Sequence, residues 1–214
     1  MPYYKDLNLL FIHIPKTGGS FIADALNNKN YKVTLSQRGI SIHNISNSLF
    51  EPPHNKGSLQ HQFYSTLYKY KNKINIDFEK TKVFSVVRNP YNKIMSDLFW
   101  LKLINKKSSP NEIYEKIKNN YLYRDDLDNH NQPQYKFITD ENNQLIKNIK
   151  IFKCETLDIL NHEINNFIGV NINLKNENAN KDYSHYLNKN SIELINNFYK
   201  KDFELFDYHL YSLT

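Results

Sequence analysis

Two short apolar runs constrain this chain most. Each ends in a loop carrying a basic residue and continues into a helix. Residues 7–14 (LNLLFIHI) read as a buried strand, and Pro15-Lys16-Thr17-Gly18-Gly19-Ser20 follow. Phe21, Ile22, Ala25 and Leu26 then recur at helical spacing. Lys82–Val87 (KVFSVV) reads as a second strand and runs into Arg88-Asn89-Pro90. Tyr91, Ile94, Met95, Leu98 and Phe99 give one face of the next helix, with Pro90 suited to its first turn. Ile149–Lys153 (IKIFK) repeats the pattern, followed by Leu157, Leu160, Ile164, Phe167 and Ile168 and a stop at Gly169. Strands that alternate with helices predict an α/β fold with a central parallel sheet and helices on both faces. Ligands then bind at the carboxyl ends of the strands, where both basic loops lie.

The remaining elements are shorter. Phe63, Tyr64, Leu67 and Tyr68 mark a small amphipathic helix, residues 112–119 another, and Ile192, Ile195 and Phe198 a last one before an aromatic tail with Phe203, Phe206 and Tyr208. Residues 29–60, with Gly39, Pro52, Pro53 and Gly57 as breakers, and the Asn-rich stretch 173–190 read as irregular. A length of 214 residues fits one domain spanning 1–214.

Composition decides how much weight a basic residue carries. The chain holds 32 Asn, 25 Lys, 22 Ile and 16 Tyr, a bias that follows A/T-heavy codons, but only three Arg and five Gly. A net charge of +6 is compatible with anionic partners, yet lysine here is also the common solubilising residue. Each Arg and Gly is correspondingly more informative. Apolar content of 40% excludes a disordered chain. A single cysteine, Cys154, excludes an intramolecular disulfide framework and a cysteine-built zinc site. No segment reads as a membrane span or signal peptide, which predicts a cytoplasmic protein of bacterial or viral type, with a Golgi-type location as the alternative. Nucleic acid is not an expected partner.

The first loop has the chemistry of an anion cradle. Glycines allow close backbone approach, the helix amino terminus supplies a favourable dipole, Lys16 a positive charge, and Thr17 and Ser20 hydroxyls. It is not a Walker A loop, because the lysine precedes the glycines. Lys-Thr-Gly also occurs in penicillin-binding enzymes, but no Ser here has Lys three residues later. In the second loop, Arg88 offers a planar fork for a phosphate, and Ser96, eight residues on, a hydroxyl.

The pair HIPKTGGS and VVRNPYNKIMS, in this order, resembles the sulfotransferases that use 3′-phosphoadenosine 5′-phosphosulfate (PAPS), in particular the carbohydrate branch of heparan sulfate 2-O/6-O type. The departure is Lys93, where that family usually has Arg. Looser similarity extends through His61, residues 132–138 (QPQYKFI) and residues 199–208. The resemblance implies a P-loop NTPase-like three-layer fold. It implies that Pro15, Lys16, Thr17, Gly18, Gly19, Ser20 and Phe21 hold the 5′-phosphosulfate, and that Arg88 and Ser96 hold the 3′-phosphate. Residues 180–186 match a late loop that closes over the nucleotide, with Lys181 and Tyr183 as further contacts; a core role for Tyr183 is the alternative. His130, Gln132, Gln134 and Tyr135 match a segment near the acceptor; a polar loop with no ligand is the alternative.

The implied reaction is in-line sulfuryl transfer from PAPS to an acceptor hydroxyl, of a carbohydrate by the branch resembled. Lys16 serves as electrostatic catalyst and a histidine as general base. His61, at a loop-to-helix junction before the second strand, is the expected base; a helix-start residue without chemistry is its alternative. His43 and His54 read as surface residues, and His13 as packing beside the cradle. Glu155, after the third strand, reads as a helix-start carboxylate or as a group that orients the site. No metal is expected: His162-Glu163 is not followed by a second His at helical spacing. Two other readings compete, a P-loop-like nucleotide phosphotransferase and a non-catalytic glycan- or anion-binding module on the same fold.

Overall fold

The computed structural model describes residues 2–31, 33–34, 58–157, 159, 161–174 and 181–212. His43, His54, Leu160 and the breakers Gly39, Pro52, Pro53 and Gly57 lie outside them. Strands β1 (Tyr3–Tyr4), β2 (Leu9–Ile12), β3 (Val33–Thr34), β4 (Lys82–Val87) and β5 (Ile149–Lys153) form one sheet in the order β3-β1-β2-β4-β5. The two chemistry-bearing strands are neighbours. β2 pairs with β4 in parallel, Leu9 opposite Lys82 through Ile12 opposite Ser85. β4 pairs with β5 in parallel, Val83 opposite Ile149.

The sheet is not wholly parallel, which corrects the sequence expectation at one edge. β1 runs antiparallel to both β2 and β3. A single 3-10 turn, Lys5–Leu7, with Asn8 in the left-handed region at φ 44°, reverses the chain between β1 and β2. A connection that short joins only antiparallel strands.

All four residues of β2 and five of the six of β4 are buried, as expected of central strands covered on both faces. On one face Leu9, Phe11, Phe84, Val86 and Phe152 pack with Ile22 and Leu26 of α1 (Gly19–Asn27) and Ile164 and Ile168 of α6 (Asn161–Ile168). The Phe11 and Phe84 rings stack with centroids 4.7 Å apart. On the other face Leu10, Ile12, Val83 and Val87 pack with Leu67 of α2 (Tyr64–Lys69), Phe137 and Phe206; the one-turn α3 (Lys71–Ile74) follows α2. Each buried Phe or Leu of this kind contributes roughly 1.5–3 kcal/mol.

A third cluster joins α4 (Pro90–Trp100), α5 (Pro110–Asn120), α7 (Lys189–Phe198) and α8 (Lys200–Phe206) through Tyr91, Ile94, Leu98, Ile113, Ile195 and Phe203. The expected aromatic tail is therefore largely helix: Phe203 and Phe206 face the core from α8. The helix expected from Leu157 starts later, at Asn161, after a 3-10 turn at Cys154–Thr156. Gly169 ends it with φ 85°, the conformation glycine adopts most cheaply. Among the described residues no helix is long and apolar enough to cross a membrane.

Candidate active site

The loops after the three parallel strands are laced together at the carboxyl edge of the sheet. Arg88 Nη1 donates to the Lys16 carbonyl at 3.2 Å, tying the second motif to the first. The Asn89 N–H donates to Glu155 Oε1 at 2.8 Å, tying the second loop to the one after β5. Glu155 also accepts from the Tyr208 hydroxyl at 2.9 Å. It thus sits in the first turn of a 3-10 helix and braces the loop after β4.

In the first loop the two glycines do different work. Gly18, the residue before α1, takes φ 91°, which favours glycine. At Gly19 a Cβ would stand 2.2 Å from His13 Cδ2 and 2.4 Å from Nε2, so its bareness makes room for a ring. His13 fills that room, stacked 5.4 Å from Phe11 with its Nδ1 accepting from the Gln60 amide at 3.0 Å. Thr17 is buried and donates its hydroxyl to the Ile14 carbonyl at 2.9 Å. In this arrangement the hydroxyl proton closes the turn. Pro15 is buried, while Ser20 and Phe21 are exposed at the start of α1.

Lys16 is half-buried and has φ 64°, a strained conformation for a side-chain-bearing residue. Its ammonium lies 5.1 Å from the Trp100 ring centroid. Burial lowers its pKa, nearby Arg88 adds to the lowering, and Asp97 opposes it.

Arg88 is held by Gln134. The Arg88 N–H donates to Gln134 Oε1 at 2.8 Å, and Gln134 Nε2 donates to the Arg88 carbonyl at 2.7 Å. Gln134 is fully buried, so in this arrangement its amide fixes Arg88 rather than facing an acceptor. Asp202 of α8 in turn accepts from the backbone N–H groups of Gln134 and Tyr135 at 2.8 and 2.9 Å. Gln132 is half-buried and accepts from Lys136 Nζ. Ser96 is half-buried on α4. Lys93, the position where Arg was expected, is fully buried with its ammonium on the His130 carbonyl. Burial lowers its pKa against the pull of Asp97 and Asp202. Tyr183 is buried within the third cluster, 5.9 Å from the Phe99 ring and within the field of Arg88. Exposed Lys181 lies over its ring at 5.4 Å.

Beside these loops stand two histidine–carboxylate pairs. His61 Nδ1 donates to Asp128 Oδ2 at 2.8 Å, and Asp128 is braced by the Ser58 hydroxyl at 2.8 Å and the Ser58 N–H. His130 Nδ1 donates to Asp97 Oδ1 at 2.8 Å, and Asp97 also accepts from the Tyr121 hydroxyl at 2.7 Å. The two imidazoles meet edge to face, centroids 5.0 Å apart, with His13 5.1 Å from His61 on another side. Trp100 stacks on His130 at 4.9 Å. Burial pushes the His61 imidazole below its ordinary value, against Asp128 and aided by His130. Burial would raise Asp128, but the bonds from His61 and Ser58 outweigh it and hold the carboxyl below its usual range.

A model of the sulfotransferase family matches residues 3–209. The chain belongs to the sulfotransferase family. No curated protein and no solved structure gave a significant match. The donor of this family is PAPS and the acceptor a hydroxyl, and the three-layer arrangement around the sheet is the P-loop-like fold of sulfotransferases. In this sulfotransferase the motif residues Lys16 and Arg88 stand side by side, as their strand-end positions predicted. Asp97, Asp128 and Trp100 were missed. Asp97 looked like one more helix residue, and Asp128 is one of three aspartates in RDDLDNH. Only the fold brings Asp128 to His61, which is 67 residues away in sequence.

Proposed function

We propose that this sulfotransferase moves the sulfuryl group of PAPS to a carbohydrate hydroxyl, with His61 as base and Lys16 as electrostatic catalyst. One observation carries the reading. A cation on the strained turn after β2, an arginine fork after β4 and a carboxylate-braced histidine meet at one edge of a parallel sheet.

The residues divide the work. The cradle of Gly18, Gly19, Ser20 and the α1 amino terminus holds the 5′-phosphosulfate, with Pro15, Thr17 and Phe21 shaping it. Arg88 and Ser96 hold the 3′-phosphate, and Lys181 and Tyr183 lie along the nucleotide. His61 takes the acceptor proton while Asp128 keeps its Nδ1–H engaged, which leaves Nε2 to act. The acceptor oxygen bonds to sulfur, the bond from sulfur to the bridging phosphate oxygen breaks, and adenosine 3′,5′-bisphosphate leaves. Lys16 stabilises the charge that grows on that phosphate.

A carbohydrate acceptor is supported by the branch resembled and by Trp100, which is 59% exposed beside Lys16 and His130. A flat, wet-edged aromatic is a surface on which a sugar ring packs. His130 stacks on the Trp100 ring, and with Gln132 is proposed to meet the acceptor.

Calorimetry with adenosine 3′,5′-bisphosphate and transfer assays with labelled PAPS across an oligosaccharide panel test the reading. Lys16→Ala abolishes transfer, Arg88→Ala chiefly weakens nucleotide binding, and His61→Ala lowers transfer by about 10²–10⁴-fold while nucleotide still binds. Absence of nucleotide binding in the wild-type chain would falsify the assignment of both motifs. Transfer only to non-sugar hydroxyls would overturn the acceptor.

A further inference from the structure

His61, His130 and Asp128 carry a chemistry that sulfuryl transfer does not call on. One ligand atom from each lies within 4.8 Å of the other two. Their side chains are 11%, 7% and 14% exposed, so an ion among them would be largely shielded from water. The His130 imidazole is oriented through Nδ1 by the Asp97 carboxylate, the support that metal-ligating histidines have, and His61 Nδ1 already stands 2.8 Å from Asp128 Oδ2, where one ion can bridge the two. His130 has Nδ1 committed to Asp97, which leaves Nε2 as its ligand atom. Asp128 brings one negative charge to the ion, and Asp97, shared with Lys93, lies behind His130.

Two imidazoles, one carboxylate and an open fourth position suit zinc rather than magnesium or calcium, which take oxygen ligands. Zinc ligands at bonds of 2.0–2.2 Å stand about 3.4 Å apart, so ligand atoms within 4.8 Å of one another need to close by at most about 1.4 Å.

We propose that His61, through Nδ1, His130 and Asp128 form a zinc site whose occupation shuts off transfer, because an ion on Nδ1 leaves the ring's one proton on Nε2, the nitrogen that receives the acceptor proton. The shut-off rests on the reading of His61 as base; the binding of zinc does not.

The test uses the full chain stripped of metal. Calorimetry with zinc chloride gives one ion per chain, and cobalt(II) gives the visible absorption of a low-coordinate nitrogen–oxygen site. His130→Gln and Asp128→Asn each weaken binding by about tenfold or more. Both variants still bind adenosine 3′,5′-bisphosphate, which shows that they are folded. Saturating zinc lowers wild-type transfer at least as far, and a chelator restores it. No saturable binding, or binding undiminished in both variants, overturns the site and moves the ion to surface histidines such as His162 or His185. Zinc bound through these residues with transfer unchanged overturns the shut-off. In that event zinc-free His61→Ala tells whether the base reading falls too: it falls if that variant still transfers and stands if it does not.

Discussion

At Gly19 the absent side chain is replaced by a neighbour's ring. A methyl group there would overlap the His13 imidazole at 2.2–2.4 Å, and the ring is itself stacked on buried Phe11 and bonded to Gln60. Gly19→Ala therefore displaces His13 or the start of α1, and thermal unfolding shows a loss of about 1–3 kcal/mol together with weaker nucleotide binding. Gln134 offers a second point prediction. Gln134→Ala strips the buried Arg88 N–H and C=O of their side-chain partners, at a cost of about 1–3 kcal/mol, and raises the KM for PAPS more than it lowers kcat. An unchanged KM would show that Arg88 holds its place without the clamp. Neither role is legible in the sequence. A glycine after Lys-Thr-Gly reads as backbone freedom, and a glutamine in QPQYKFI reads as a polar loop residue; volume and burial exist only once the chain has folded.

At the scale of elements, α8 reaches the catalytic edge through one carboxyl group. Asp202 accepts from the backbone of the 3-10 turn Gln134–Phe137, and that turn carries the Gln134 clamp on Arg88. Burial raises the Asp202 pKa from 3.8 to about 6, against the lowering by its two backbone donors and by Lys93 of α4; Tyr199 is the other titratable group in its field. The folded state thus holds this proton more tightly than the unfolded state. Its stabilising effect is full below about pH 3.8 and is lost as pH rises through about 6, a change of about 3 kcal/mol. Urea unfolding of wild type and Asp202→Asn over pH 4–6.5 checks the sign: the stability of wild type relative to the variant falls as pH rises. A rising difference would mean that the ionised carboxylate is the better-held form. The existence of α8 was not read from the sequence either. Phe203 and Phe206 are three apart, but the pattern is too short to separate from an aromatic tail.

For the whole molecule, what could be read in advance is what repeats. Strands Lys82–Val87 and Ile149–Lys153 stand where the apolar runs placed them, the first because a run covered on both faces needs no partner to be recognised, the second, an edge strand with only Phe152 buried, because its isoleucines precede a clear helical spacing. Strands β1 and β3, the pair on the far side of β2, have two residues each and left no pattern to see. The same division holds at the active site. Local motifs such as Lys16 to Ser20 announce themselves, whereas His61 with Asp128 and His130 with Asp97 depend on contacts across 67 and 33 residues of chain. One such contact sets how affinity is shared. Because the Arg88 guanidinium rests on the Lys16 carbonyl, the two groups proposed to hold the ends of the donor are parts of one mechanical unit. Their contributions to binding are then thermodynamically coupled: in a double-mutant cycle, the losses from Lys16→Ala and Arg88→Ala in affinity for adenosine 3′,5′-bisphosphate fail to add by about 0.5–3 kcal/mol. On the proposed assignment, a nucleotide that lacks its 3′-phosphate loosens the grip on the far end as well, so that recognition of a whole donor precedes the chemistry.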